Sequence, residues 1–412
     1  MGTTRLLAHP WFALFVLLSW AIALGWLAQG ISALRGMPTL PDLTAPVAEN
    51  LPALPPAQGP HLTVIVPACN EEQNIQATLH SLLASTGLRL QILAVDDRST
   101  DRTGARIAAV AAEAAANHGS HTLEHVTIAE LPSGWLGKPH AMALAASRAA
   151  APWILFTDAD VLFEPHTLSL ALRQALAAQA DHLILIPTLI LKTIPERAML
   201  GAMQAFASWG MRLWKVADPR TRDFLGVGGF NLVRRSAYES IGGFEAFPLE
   251  ALDDLRLGWA LKRAGFLPYV ALGPGLARIR WLHGALAIVP LVEKNGFAVS
   301  RFRVSLHLGM CVGLVALLLV PVAALFGGVA TLPAALFASL GLWMLYRAQR
   351  RMTGVAPWYA IFFVPMSVVM LYAFVRSMVL AVGRGGIRWR GTFYPLAELR
   401  RSAGRGFWKR SA

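Results

Sequence analysis

From Leu6 to Leu34 the chain carries no Asp, Glu, Lys or Arg, and Trp11 to Ala28 is almost wholly apolar. A helix of about 20 such residues spans a bilayer. The stretch is long for a signal peptide and no clear small-x-small cleavage site follows it, so an uncleaved anchor is expected. A second uncharged stretch, Val304 to Tyr346, has the length of two helices, with a tight connection near Gly327, Gly328 and Pro333. A third apolar run goes from Pro357 to Val375, carries Pro365 midway, meets Arg376 and fades at Gly383. Gly309 and Gly313 make one small-xxx-small pair, a weak helix-packing signal. Hydrophobic residues are 55% of the chain and charged residues 15%, too apolar for an ordinary soluble domain. The excess sits at the two ends, around a middle that reads as globular.

Lys and Arg number 37 against 24 Asp and Glu, a net charge of +13. The basic residues lie beside the apolar runs, at Arg301, Arg303, Arg347, Arg350, Arg351 and along the tail from Arg384 to Arg410. That placement points to a membrane face. Zinc-finger spacing and RNA-binding signatures are missing from the sequence, so nucleic acid is not an expected partner. Basic residues favour the cytoplasmic side, which puts the middle domain and the Arg347–Arg351 loop there. A full final crossing would leave the basic tail outside. A re-entrant or interfacial last run around Pro365 is therefore expected. The two cysteines, Cys69 and Cys311, exclude a disulfide framework and a cysteine-rich metal site.

Residues 36–60 hold seven prolines, Pro38, Pro41, Pro46, Pro52, Pro55, Pro56 and Pro60, and read as a stiff extended linker. Beyond them the pattern changes. Leu62–Val66, Leu90–Val95 and Trp153–Thr157 read as strands, while Glu71–Ser85 and Asp101–Ala116 read as helices. The alternation predicts an α/β fold, a mostly parallel sheet with helices on both faces. Ligands of such sheets bind beyond the carboxyl ends of the strands. The polar clusters fall at those ends. The first turn, Pro67-Ala68-Cys69-Asn70-Glu71, lacks the glycines of a dinucleotide-binding turn.

Asp158-Ala159-Asp160 follows the strand directly. Two carboxylates one residue apart on a turn can share a hard divalent cation, Mg²⁺ or Mn²⁺, with substrate phosphates. Asp96 and Asp97 end a strand, where a carboxylate can accept from a nucleobase imide or a ribose. Ser99 and Asp101 suit the capping of the next helix. Gly134-Trp135-Leu136-Gly137-Lys138 leads into a helix near Pro139, which makes an anion site or a plain glycine turn. Asp253 and Asp254 open a helix whose apolar face is Leu257, Ala260, Leu261 and Ala264. They are either dipole-favoured carboxylates or a general base for an acceptor hydroxyl. The stretch 194–217, with Trp209 and Trp214, and the stretch Trp281 to Phe297 suit either an interface or buried helices.

Taken in order, Pro67…Asn70-Glu71, Asp96-Asp97…Ser99…Asp101, Gly134-Trp135…Gly137-Lys138, Thr157-Asp158-Ala159-Asp160, Gly228-Gly229…Asn231, Gly242-Gly243-Phe244 and Asp253-Asp254…Leu257 resemble the family 2 glycosyltransferases of GT-A fold. The likeness covers roughly 62–297. It implies inverting transfer from a nucleotide-diphosphate sugar, with UDP favoured over GDP. It implies donor contacts at Pro67, Asn70, Glu71, Asp96, Asp97, Ser99, Lys138 and Asp158, and a Mn²⁺ or Mg²⁺ ion at Asp158 and Asp160. It gives the acceptor-base role to Asp254, with Asp253 where the family usually has Glu.

The Gly-Trp-x-Gly-Lys stretch, Arg278-Ile279-Arg280-Trp281, Glu293-Lys294-Asn295 and the late apolar runs are most similar to a bacterial subgroup that includes hopanoid-associated and carotenoid glycosyltransferases. That implies a lipid or polyprenyl-type acceptor and a multi-pass protein of the bacterial inner membrane. Ala277 stands where polymer synthases carry the Gln of Gln-x-x-Arg-Trp, which argues against a processive polysaccharide synthase. A catalytically inactive nucleotide-sugar-binding membrane protein is the other alternative. The expected division is an anchor over 1–35, a linker over 36–60, a catalytic domain over 61–275, an interfacial segment over 276–303, membrane or re-entrant helices over 304–383 and a basic tail over 384–412.

Overall fold

The computed structural model describes residues 9–403. By its contacts the chain forms two compact units. One, the α/β unit, is made of Leu40–Ile190, Lys215–Trp281 and the tail from Arg388. The other, the helical unit, takes the chain up to Thr39, Leu191–Trp214 and Leu282–Ile387.

The strands of the α/β unit are β1 Leu62–Ala68, β2 Leu90–Asp97, β3 Thr122–Ile128, β4 Trp153–Phe156, β5 Val161–Phe163, β6 His182–Ile186, β7 Thr188–Leu189, β8 Asn231–Arg234, β9 Pro268–Leu272 and β10 Ala277–Ile279. Seven form one sheet in the order β3-β2-β1-β4-β8-β6-β9. All neighbours are parallel except β8, which is antiparallel to both β4 and β6. The expected mostly parallel sheet is therefore present. The strand order turns back at β1, between β2 and β4, and a doubly wound sheet opens its ligand crevice at such a point.

Side chains alternate across β1. Leu62, Val64 and Val66 join Leu79, Ile92 and Leu155 in one core, while Ile65 joins Leu93, Ile154 and Leu257 in the other. A two-residue period with both faces covered is why this strand reads as one continuous apolar run. β1 runs through Pro67, which pairs with Val95, instead of stopping before it. β4 pairs β1 only as far as Ile65, so the missing Pro67 N–H leaves no ladder partner unserved. A smaller sheet, β5-β10-β7, sets Ile279 between Val161 and Leu189.

Part of the proline-rich stretch docks on this unit. Leu43 N–H donates to Leu272 O and Leu272 N–H to Pro41 O, each at 2.8 Å, and the Leu43 side chain is buried in the first core.

The helical unit contains Pro10–Gly36, Ile194–Gly210, Ile288–Val299, Val304–Ala324, Leu332–Thr353 and Phe363–Gly383. Three described stretches, Pro10–Thr39, Val304–Ala324 and Pro357–Gly383, are long and apolar enough to cross a membrane. Leu332–Thr353 is not one of them; its last turns carry Arg347, Arg350 and Arg351. Leu17, Val312 and Val379 point outward and exposed, as lipid-facing side chains would. Pro365 lies in the first turn of Phe363–Gly383, where its missing N–H breaks no helical bond, so the helix continues past it unbroken.

Candidate active site

The loops after β1 and β2 are tied together. Asn70, at φ +57°, donates its N–H to Ser99 Oγ at 3.0 Å, and its Oδ1 accepts from Thr100 N–H at 2.8 Å. Glu71 N–H donates to Thr103 Oγ1 at 2.7 Å. Asp101 accepts from Thr103 N–H at 2.9 Å and from Glu72 N–H at 3.2 Å, so it braces the two loops just ahead of the helix Thr103–Ala116. Asp96 accepts Ser99 N–H at 3.1 Å, and its other oxygen lies against Gly104, where a Cβ would stand 2.4 Å away. Both Asp96 oxygens thus face the helix start. Ser99 and Asp96 shape the loop, and Pro67 offers no polar side chain.

Asp97, buried, accepts from Arg98 Nε at 2.8 Å and Nη2 at 3.2 Å. Such a fork clamp on an adjacent residue needs a bent backbone, and Arg98 is at φ +59°. The helix Gly137–Ala146 starts against this pair. A Cβ on Gly137 would stand 2.2 Å from Asp97 Oδ2, so only glycine leaves the carboxylate in place. The next residue, Lys138, donates to Asp158 Oδ1 at 2.6 Å and lies 3.4 Å from Asp253 Oδ2. Burial pulls its ammonium down, yet Asp158, Asp253 and Asp254 outweigh that and hold it well above the usual lysine range. Lys138 is therefore a fixed positive charge.

Asp158 and Asp160 follow β4 at the turn into β5. Thr78 Oγ1 holds that turn by donating to Ala159 O at 2.9 Å. Burial pushes the Asp160 carboxyl up to about 7, helped by the charges of Asp158 and Glu71. Among the described residues no three His, Cys, Asp or Glu side chains surround one point. Asp158 and Asp160 nevertheless fit a hard cation that takes its remaining oxygens from water and a diphosphate. Such an ion would offset the burial, and the repulsion from Asp158 and Glu71, that lift Asp160.

The helix Asp253–Arg263 brings the acceptor-side carboxylates. Gly228 N–H donates to Asp254 Oδ2 at 3.0 Å, and Gly228 also abuts Asp158, where a Cβ would be 2.6 Å from Oδ2. Asn231 Oδ1 accepts from Val227 N–H at 3.3 Å and meets His182 Nε2 at 3.0 Å, and so pins the loop that carries Gly228. Burial takes His182 down to about 4, so the ring is neutral. Burial lifts Asp254 to about 6, Asp253 adds to the rise, and Lys138 opposes it.

The structure therefore gathers Glu71, Asp97, Lys138, Asp158, Asp160, Asp253 and Asp254 around the carboxyl ends of β1, β2 and β4. Sequence reasoning missed Arg98 as the clamp on Asp97, and His182 as the support of the Gly228 loop. A lone buried histidine carries no local signal for such a role.

Residues 63–242 match the model of glycosyl transferase family 2. The chain carries a family 2 glycosyltransferase domain. The 4,4'-diaponeurosporenoate glycosyltransferases of Staphylococcus aureus strains RF122 and USA300 are each 26% identical to it over 266 residues, 55% of this chain and 67% of theirs. A mannosyltransferase of Pyrobaculum calidifontis, solved with GDP-Man and Mn²⁺, shares the fold at a TM-score of 0.51 and 19% identity, over 86% of this chain and 99% of that one. The glycosyltransferase match includes the loops that hold Asn70, Asp97, Lys138, Asp158 and Gly228. Asp253 and Asp254 lie beyond its end.

Proposed function

We propose that this glycosyltransferase moves a sugar, with inversion, from a nucleoside-diphosphate sugar to a lipid-like acceptor at a membrane surface, UDP being favoured over GDP as the nucleotide. The supporting observation is Lys138, held between Asp158 on the donor side and Asp253 beside Asp254. Donor phosphate and acceptor hydroxyl would meet around that ammonium.

Lys138 stays charged and stabilises the departing diphosphate. Asp254, with its pKa near about 6, is ionised at neutral pH yet more basic than an exposed aspartate. It takes the acceptor proton as the acceptor oxygen bonds the anomeric carbon and that carbon's bond to phosphate breaks, the electron pair leaving with the diphosphate. Gly228 N–H fixes the carboxylate's direction. A Mn²⁺ or Mg²⁺ ion held by Asp158 and Asp160 would supply further neutralisation of the diphosphate.

The acceptor reading is supported by the apolar helices and by the relatives' name, a glycosyltransferase of diaponeurosporenoate. Ala277 stands in β10 where polymer synthases carry Gln, which supports single transfer over processive synthesis. The full chain, purified in detergent with Mn²⁺, should release nucleoside diphosphate from a UDP- or GDP-sugar and add one sugar per acceptor. Binding of the donor without any release, or a polymeric product, would overturn this reading.

A further inference from the structure

The carboxy-terminal tail contributes a β-hairpin, Gly386–Trp389 with Thr392–Pro395. Its turn is Arg390-Gly391, and both residues have positive φ, +45° and +83°. Two-residue turns of this kind take Asn-Gly or Gly-Gly by preference, because a Cβ in the left-handed region is strained. Here the first position is an arginine, and its guanidinium has specific partners. Arg390 Nη2 donates to Glu71 Oε1 at 3.1 Å, and the guanidinium faces the Cys69 thiol.

Two further contacts come from the same hairpin. Thr392 Oγ1 accepts from Arg98 Nη1 at 3.3 Å. The Tyr394 ring is buried, and its hydroxyl lies against the Gly137 N–H. The hairpin thus touches three of the segments to which donor contacts are assigned: the loop after β1 at Cys69 and Glu71, the end of β2 at Arg98 beside Asp97, and the helix start that carries Lys138. It lies outside the residues matched by the family.

Charge gives these contacts a purpose. The site carries Glu71, Asp97, Asp158, Asp160, Asp253 and Asp254. A donor diphosphate brings two more negative charges into it. Lys138 and Arg98 are already committed to Asp158 and Asp97. Arg390 is one-third exposed and tied to a single carboxylate, so its remaining donors can be shared with an incoming phosphate or ribose.

We propose that the carboxy-terminal hairpin is a wall of the nucleoside-diphosphate subsite and that Arg390 is its positioning cation. This rests on the donor reading above.

The test uses the full-length protein in detergent, with UDP and GDP plus Mn²⁺ as probes. Arg390→Asn supplies the residue the turn prefers, so the fold is retained and melting is unchanged or higher. The expected result is a Kd for the nucleoside diphosphate and a KM for the donor weakened about tenfold, with kcat and acceptor KM within about twofold. Arg390→Lys should recover part of the loss. Tyr394→Phe, which deletes only the hydroxyl that meets Gly137, should raise donor KM in the same direction. Unchanged Kd and KM in a folded Arg390→Asn protein would overturn the hairpin's role and leave the donor reading intact. Failure of the unaltered protein to bind either nucleotide would overturn both.

Discussion

Asp254 has two demands on it that pull in opposite directions. As a base it must lose its proton, and its burial makes that loss costly. Activity should therefore rise about tenfold per pH unit below about 6 and level off above it, in kcat/KM measured at low donor. Stability moves the other way. A carboxyl whose folded pKa is raised helps the fold at pH below the ordinary aspartate range and loses that help as the pH climbs through about 6. Asp254→Asn should cut kcat by roughly 10²–10⁴ while donor Kd stays within about twofold; near-normal turnover would remove Asp254 from the mechanism. Asp160→Ala should abolish the gain in UDP affinity that Mn²⁺ provides, read by titration with and without the ion, and an unaltered gain would refute the metal site. At this scale the sequence was informative wherever a carboxylate ends an apolar run, as at Asp97 and Asp158. It was silent on Arg98, because a side chain folds back onto its neighbour only once the backbone has taken φ +59°.

Elements approach one another in this protein where glycine allows it. Gly258 lies inside the helix Asp253–Arg263, where a sequence pattern counts it as a helix-weakening residue. The structure gives the reason for it. A Cβ there would stand 1.8 Å from Leu225 O, and one on Gly226 would stand 1.8 Å from Asp254 O. These contacts are with backbone, which cannot rotate away. Gly258→Ala should cost roughly 1–3 kcal/mol in urea melts and should lower kcat more than donor affinity, since the displaced helix carries Asp253 and Asp254. A variant with normal kcat would mean that the helix position is not set by this contact. The helical unit repeats the lesson. Gly309 and Gly313, spaced as a packing pair, have open space where a Cβ would be. The close approach is instead between Gly30 and Gly341, where a Cβ on Gly30 would be 2.5 Å from Gly341 O. Spacing within one helix marks a candidate surface, but the partner helix decides which glycine is used. Apolar runs located the strands β1, β2 and β4 and most helices, but not the other seven strands of the α/β unit. Periodicity did not show that Ile194–Gly210 packs with the apolar helices, because an apolar face fits a protein core and a membrane-side bundle equally.

At the scale of the whole chain, the hairpin bears on what the charge pattern left in conflict, namely the side on which the basic tail lies. The hairpin residues Arg390, Thr392 and Tyr394 belong to the same compact unit as Glu71, Arg98 and Gly137 and bond to them. A membrane cannot pass between bonded side chains, so the hairpin and the candidate site residues share one face. Any membrane crossings made by the chain between Val304 and Gly383 would then be even in number. Three helices occupy that stretch, and two of them, Val304–Ala324 and Phe363–Gly383, are long and apolar enough to cross. Parity holds if one of the three does not span. If that face is the cytoplasmic one, the tail's arginines come to the side that basic residues favour. The check is a labelling experiment in intact cells on a protein with both native cysteines, buried Cys69 and Cys311, replaced. A cysteine at exposed Ser402 should resist a membrane-impermeant maleimide until the cells are permeabilised, while one at Phe326, exposed between two helices, should react at once. Immediate labelling at Ser402 would place the tail across the membrane from the active site. The hairpin could not then line the donor subsite, and the even count of crossings would fall with it.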